Sequence, residues 1–138
     1  MAKHVLLNPW VRINNVVLSD HVSSVTVSLE AADVDVTASG QYALDRVKGL
    51  KDESFEVEFL QDFAAASVDA TLWPLYDTAG TVFLVEVAHD GATISATNPK
   101  YSGSCILTTY QPLAGAIGDA NKTTVAFPTK GSITRGTA

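Results

Sequence analysis

The chain has 138 residues, 46% hydrophobic and 17% charged, with 15 acids against 9 bases for a formal charge of −6. That length fits one domain spanning 1–138, with a core large enough to fold without a metal or disulfide staple. The apolar content excludes a disordered tail, and the acidic balance excludes a protein that grips nucleic acid by neutralising phosphates.

The opening Val5-Leu6-Leu7 is a short apolar run, where a secretory signal needs ~7–15 apolar residues and a membrane span ~18–20. Nothing later in the chain approaches that span, so folding in a cytoplasm, without membrane insertion, is expected. Cys105 is the one cysteine, which excludes an intrachain disulfide and a Cys-based zinc site.

The first elements are strands. Trp10–Ile13 and Val16–Leu18, split by Asn14-Asn15, read as an opening hairpin. From Ser24 to Glu30, Ser24, Thr26, Ser28 and Glu30 alternate with Val25, Val27 and Leu29. Val34 and Val36 extend that strand after a slip at Ala31-Ala32. Phe55, Val57 and Phe59 alternate with Glu56 and Glu58 in the same way. Period-two patterning of this kind predicts antiparallel strands with one covered and one wet face.

Between these strands lies the segment 38–52. Connections beyond ~12 residues are uncommon in compact domains and are usually functional or disordered. This one, which contains Gly40 and Gly49, is expected to be a long mobile loop. It carries Tyr42, Leu44, Val47 and Leu50, more apolar surface than a solvated loop needs. Two readings stay open: a loop that folds back on its own domain, or one that orders against a partner.

Further along, Val68, Leu72, Leu75 and Tyr76 form one stripe at helical spacing, with Ser67 as N-cap and Asp69 in the first turn. Pro74 is costly in a helix starting at Val68, and Thr71 as the cap would place it in the first turn. The longer helix is preferred because the stripe needs Val68. Thr81–Val87 predicts a strand, Asp90-Gly91 a turn, and Thr93–Thr97 its returning partner. Ser104–Tyr110, Thr123–Phe127 and Ile133–Arg135 complete the set. The fold is expected to be mainly β, an antiparallel β-sandwich or open barrel with one short flanking α-helix.

No constellation in the sequence carries catalysis. His4, His21 and His89 are far apart and none forms a metal-ligand pair. Gly103-Ser104-Cys105 does not satisfy Gly-x-Ser-x-Gly. Glu56 and Glu58 share a strand face, which on an alternating strand is ordinarily a solvated one. Neither Gly115–Gly118 nor Lys130-Gly131-Ser132 completes a phosphate-binding loop. No enzyme activity, cofactor or metal is expected.

Taken in order, several segments form a recognisable series. These are Leu18-Ser19-Asp20-His21-Val22, the Ser24–Leu29 strand, the long loop, and Ser54-Phe55-Glu56-Val57-Glu58-Phe59-Leu60-Gln61-Asp62. The helix around Asp69–Trp73, Leu113–Asp119 and Val125–Thr134 follow. The series resembles the major tail tube proteins of long, non-contractile-tailed (siphovirus-type) bacteriophages.

The resemblance implies a structural virion protein, assembled in the bacterial host cytoplasm, whose subunits form hexameric rings stacking into a tail tube. Its partners would be other copies of itself, a tape-measure protein, and tail tip and terminator proteins, with genome DNA as transiting cargo. The long loop would reach the neighbouring ring through Tyr42, Leu44, Arg46, Val47, Lys48 and Leu50. A lumen lined with carboxylates lets a polyanion slide, and alternation offers Ser24, Thr26, Ser28, Glu30, Glu56 and Glu58 as lumen-facing candidates. The alternative is a monomeric β-sandwich binding module for carbohydrate or protein, with Trp10, Trp73, Tyr42, Tyr101 and Tyr110 as an aromatic platform.

Overall fold

Alternation and turn chemistry produce two antiparallel sheets, seen in a computed structural model that describes residues 5–137. Strands β1 (Trp10–Ile13) and β2 (Val16–Val17) form the opening hairpin. Asn14 and Asn15 turn it at φ of 48° and 66°, the left-handed pair that a two-residue turn matched to strand twist requires. After a 3₁₀ turn at Ser19–His21 come the long strands β3 (Val22–Asp35) and β4 (Arg46–Leu60), then helix α1 (Val68–Asp77). Strands β5 (Phe83–Ala88), β6 (Lys100–Cys105), β7 (Lys122–Pro128) and β8 (Thr134–Gly136) complete the chain.

One sheet runs β2-β1-β5-β6-β8 and the other β3-β4-β7. They do not close into a barrel. Their inner faces share one core. Phe55, Val57, Phe59, Val125 and Phe127 from the smaller sheet meet Val11, Ile13, Phe83, Val85 and Cys105 from the larger. Phe83 and Phe127 pack edge to face at 5.8 Å, a favoured aromatic geometry. Val68, Leu72 and Leu75 of α1 join the same core.

Several expectations need correcting. Tyr76, placed on the apolar stripe, is half exposed, and Thr71 is buried in its stead. Ser67 occupies the N-cap position without capping, because its hydroxyl donates to Asp62 Oδ2 at 2.9 Å. Pro74 does lie inside the helix. Thr93–Thr97 forms no strand, and β5 pairs with β6 instead. The buried Asn98 side chain supplies the reason. Its Nδ2 donates to the carbonyls of Asp90 and Ala92 at 3.1 and 3.2 Å, so the loop satisfies its backbone without pairing. The strand expected over Ser104–Tyr110 stops at Cys105, where the chain crosses to the other sheet and Ile106 N donates to the Pro128 carbonyl.

The largest difference concerns the segment 38–52. Strand β4 already begins at Arg46, so the residues from 46 onward are ladder and only 36–45 remain as connection. Asp35 stands opposite Arg46, Val34 opposite Val47 and Asp33 opposite Lys48. The expected slip at Ala31-Ala32 exists as a register shift between Ala31 and Asp33. It kept the pattern from reading through, because a bulge transfers later residues to the other face.

Candidate functional site

The β3–β4 hairpin builds two surfaces. Along its lower half, Ser24 pairs with Glu58, Thr26 with Glu56, Ser28 with Ser54 and Glu30 with Asp52. The six candidates for a wet face therefore do share one face, opposite the core. Glu30 directly faces Asp52, a like-charge pairing that weakens a sheet and that core formation does not need. Lys122 tempers this face only at one end, 3.9 Å from Glu58 Oε1.

Beyond Leu29 and Glu53 the hairpin leaves the body and becomes an arm. Its apolar side chains lose cover: Leu44 is 64% exposed, Leu50 88%, and Tyr42 fully so. Val47 and Val34 are half exposed across from each other. Of the candidates on this segment, Val47 stands opposite Val34, Arg46 opposite Asp35 and Lys48 opposite Asp33, while Leu50 falls in the register shift between the Ala31–Lys51 and Asp33–Lys48 pairs. Arg46 Nε lies 3.4 Å from Asp33 Oδ2. Within the connection, Asp35 accepts from Thr37 N at 2.9 Å, and bonding to Thr37 lowers its pKa. Thr37 Oγ1 accepts from Asp45 N at 2.8 Å.

The arm's root is fixed by a residue that sequence reasoning passed over. Glu53 is buried, and its Oε1 accepts from Ser132 Oγ at 3.0 Å and Ile133 N at 2.9 Å. Thr129 N and Oγ1 both donate to the Glu53 carbonyl. The inward register of residue 53 was the available signal, since it falls on the same face as Phe55.

At the opposite end of the hairpin lie the loops 61–67 and 111–121. Tyr110 donates to Asp69 Oδ1 at 2.7 Å and accepts from Gln61 Nε2 at 3.0 Å. Gln61 Nε2 also donates to the Pro112 carbonyl. Burial, with the carboxylate of Asp69 beside it, pushes the Tyr110 hydroxyl up to about 12. This network roots the 111–121 loop, whose Leu113 (75%) and Ile117 (fully) are exposed. Leu113, Ala116, Ile117, Asp119 and Ala120 line an open cavity of about 240 Å³.

The titratable groups described at this end are tied into contacts between elements. His21 Nδ1 lies 3.0 Å from Asp20 Oδ1 and Nε2 2.9 Å from Asp62 Oδ2. Ser67 is buried and its hydroxyl already donates to that same Asp62 oxygen, so the three tie the 3₁₀ turn to the start of α1. The amide of Ala64, then Ser67 and His21, lower the Asp62 pKa. Burial raises the Cys105 thiol to about 12, which keeps it protonated. Among the described residues no group of three or more His, Cys, Asp or Glu could hold a metal; His4 lies outside them. No helix among the described residues is long and apolar enough to cross a membrane.

The aromatics expected as a platform are dispersed. Trp10 packs on the Arg12 guanidinium, 5.4 Å from the ring centroid, and Tyr101 packs on the core. Tyr42 sits in the arm's connection and Tyr110 at the other end, and Trp73 pairs with Tyr76 at 6.1 Å.

No protein-family model matches the chain, and no curated protein matches it. Solved structures do. A chain from the virion of the native gene transfer agent (GTA) particle superposes with a TM-score of 0.71 at 15% identity, covering 93% of this chain and 95% of that one. A chain from the C6-symmetric tail of the empty GTA particle gives 0.64 at 17% identity, covering 86% and 83%. A chain from the six-fold symmetrised baseplate of the anti-feeding prophage (AFP) gives 0.56 at 10%, covering 98% and 97%. At these identities the likeness is one of fold: this chain has the architecture of subunits found in GTA virions and tails and in the AFP baseplate.

Proposed function

We propose that the chain is a non-enzymatic structural subunit of a phage-type tail tube, in which six copies close a ring and rings stack into a conduit for genome DNA. The observation that carries this reading is the fold shared over 86% of the chain with a subunit of a C6-symmetric tail. Two surface features support it. An arm with uncovered Tyr42, Leu44 and Leu50 has no use in an isolated monomer and fits a ring-to-ring contact, together with Arg46, Val47 and Lys48. An acidic sheet face of Glu30, Glu56 and Glu58 with Ser24, Thr26 and Ser28 fits a lumen that repels phosphates and so lets a duplex pass. The partners are other copies of the chain, a tape-measure protein in the lumen and tip and terminator proteins at the tube's ends. The place of action is the virion tail, after assembly in the host cytoplasm.

Negative-stain electron microscopy of the concentrated protein, beside size-exclusion light scattering, tests the reading. Rings or hollow tubes are expected. A strict monomer, alone and with tape-measure protein added, whose melting temperature rises with a sugar would favour the binding module, for which the exposed Trp73–Tyr76 pair is the candidate surface. For the lumen assignment, Glu56→Lys with Glu58→Lys is expected to slow genome ejection in the parent particle. Unchanged ejection would place that face elsewhere.

A further inference from the structure

The hairpin has two ends with matching deficits. Leu60, Gln61 and the 111–121 loop lie at one end, because β4 pairs with β7 from Leu60 opposite Lys122 to Ser54 opposite Pro128. Tyr42 and Leu44 lie at the other, past Arg46. A fifteen-residue strand separates them, roughly 45–50 Å at ~3.3 Å per residue. The two apolar sets therefore cannot cover each other within one subunit.

Their charges are complementary. The arm carries Arg46, Lys48 and Lys51, and Lys48 has no carboxylate within ion-pair distance among the described residues. The far end carries Asp20, Asp62, Asp69 and Asp119. Asp119, in the wall of the apolar cavity, has no cation beside it among the described residues.

We infer that the 111–121 loop is the receptor for the arm of a second copy: Tyr42 and Leu44 of one subunit seat against Leu113 and Ile117 of the next, with Lys48 toward Asp119. This rests on the tail-tube reading and adds to it the acceptor surface. The contact is heterologous, joining different patches on the two copies, and because those patches lie at opposite ends of the hairpin it would stack copies along that direction. The Tyr110–Asp69–Gln61 network holds the receptor loop in place before contact, which lowers the ordering cost of binding.

Size explains why free subunits would stay apart while rings stack. The four apolar side chains offer on the order of 150 Å² each, about 600 Å² in all, against the ~1,200 Å² of a stable pairwise interface. One contact is weak, whereas several made together by a ring become strong through effective concentration.

The protein offers a silent background for testing this, since Cys105 is buried and protonated. Tubes are assembled from an equal mixture of Tyr42→Cys and Ile117→Cys chains and then oxidised. A disulfide dimer that neither variant forms alone is expected. Intact tubes without that dimer, or a dimer from one variant by itself, would overturn the receptor assignment and leave the tail-tube reading standing. Failure of the unmodified chain to form rings or tubes would instead remove both. Leu44→Cys mixed with Leu113→Cys is a second pair that guards against loss of folding or assembly in the first.

Discussion

The two halves of the β3–β4 hairpin share one backbone ladder and one pattern of alternation, yet they occupy different physical regimes. In the body, Phe55, Val57 and Phe59 are fully buried against the opposite sheet, each contributing about 1.5–3 kcal/mol by leaving water. In the arm, Val47 and Leu50 continue the strand and bury little. What holds the arm is its ladder, the exposed Arg46–Asp33 pair, worth about 0–1 kcal/mol, and the anchor at Glu53. An isolated two-stranded ribbon is marginally stable at best. The body therefore carries the stability of the fold, and the arm's apolar residues stay exposed on the single subunit.

The sharpest way to break that comparison is a pair of truncations. Phe55→Ala should cost about 3–5 kcal/mol in denaturant unfolding, since the cavity lies between two sheets that cannot collapse onto it. Leu50→Ala should stay within about 0.5 kcal/mol of the parent while impairing tube assembly. Comparable losses of stability from both would mean that the arm is packed in the free subunit.

A second, smaller effect tests electrostatics in the body. Glu86 is 2% exposed, accepts from Arg12 Nε at 3.2 Å and lies 3.1 Å from Lys100 Nζ. Burial alone would raise its pKa, but the bonds to Arg12 and Lys100 outweigh burial and hold it below the ordinary 4.5. A carboxylate with a lowered folded pKa contributes stability that is present above its unfolded value and lost as pH falls through the folded one. Glu86→Gln should cost about 1–3 kcal/mol at pH 7. It should also flatten the fall in stability below pH 4.5, seen in denaturation curves from pH 7 to pH 3. An acid limb as steep as the parent's would show that other carboxylates govern it.

Gly49 tests the arm by itself. A Cβ there would sit 3.0 Å from both Ala32 Cβ and Val34 Cγ2, so Gly49→Val must push β3 away from β4 in the arm. The expected cost is about 1 kcal/mol or more, confined to the arm, with faster amide exchange from 31 to 36 and unchanged exchange in the body. Faster exchange in the body as well would show the two halves to be coupled.

How much of this was legible in the sequence follows the same division. Wherever alternation ran unbroken over a buried face, as at Val25–Val27 and Phe55–Phe59, strand and wet face were readable, though not which residues pair across the ladder. The arm was not, because the extra residue of β4 at Gly49-Leu50, opposite Ala32, breaks the alternation and Gly49 reads as a loop signal, although it serves a close strand approach. Asp90-Gly91 misled for a different reason. Asn98 holds that loop with side-chain bonds, which carry no periodic signal. Glu53, Tyr110 and the 111–121 loop depend on partners far away in the chain, as Gln61 with Pro112 and Glu53 with Ile133 illustrate.

Two threonines make the finest test, because one substitution should raise global stability in the body and act only locally in the arm. Thr123 faces the core opposite Phe59, fully buried, and its hydroxyl has no hydrogen-bond partner among the described residues. Removing an unpaired buried hydroxyl while keeping its shape recovers its desolvation cost, so Thr123→Val should raise stability by about 1 kcal/mol. Thr37 Oγ1 in the arm instead accepts from Asp45 N and is exposed. Thr37→Val should leave global stability within about 0.5 kcal/mol and loosen the turn, read as faster exchange of the Asp45 amide. Thermal and denaturant unfolding of both variants decides it: a loss of stability in Thr123→Val would mean that its hydroxyl is paired in solution, and that pairing would then count among the contacts holding the body.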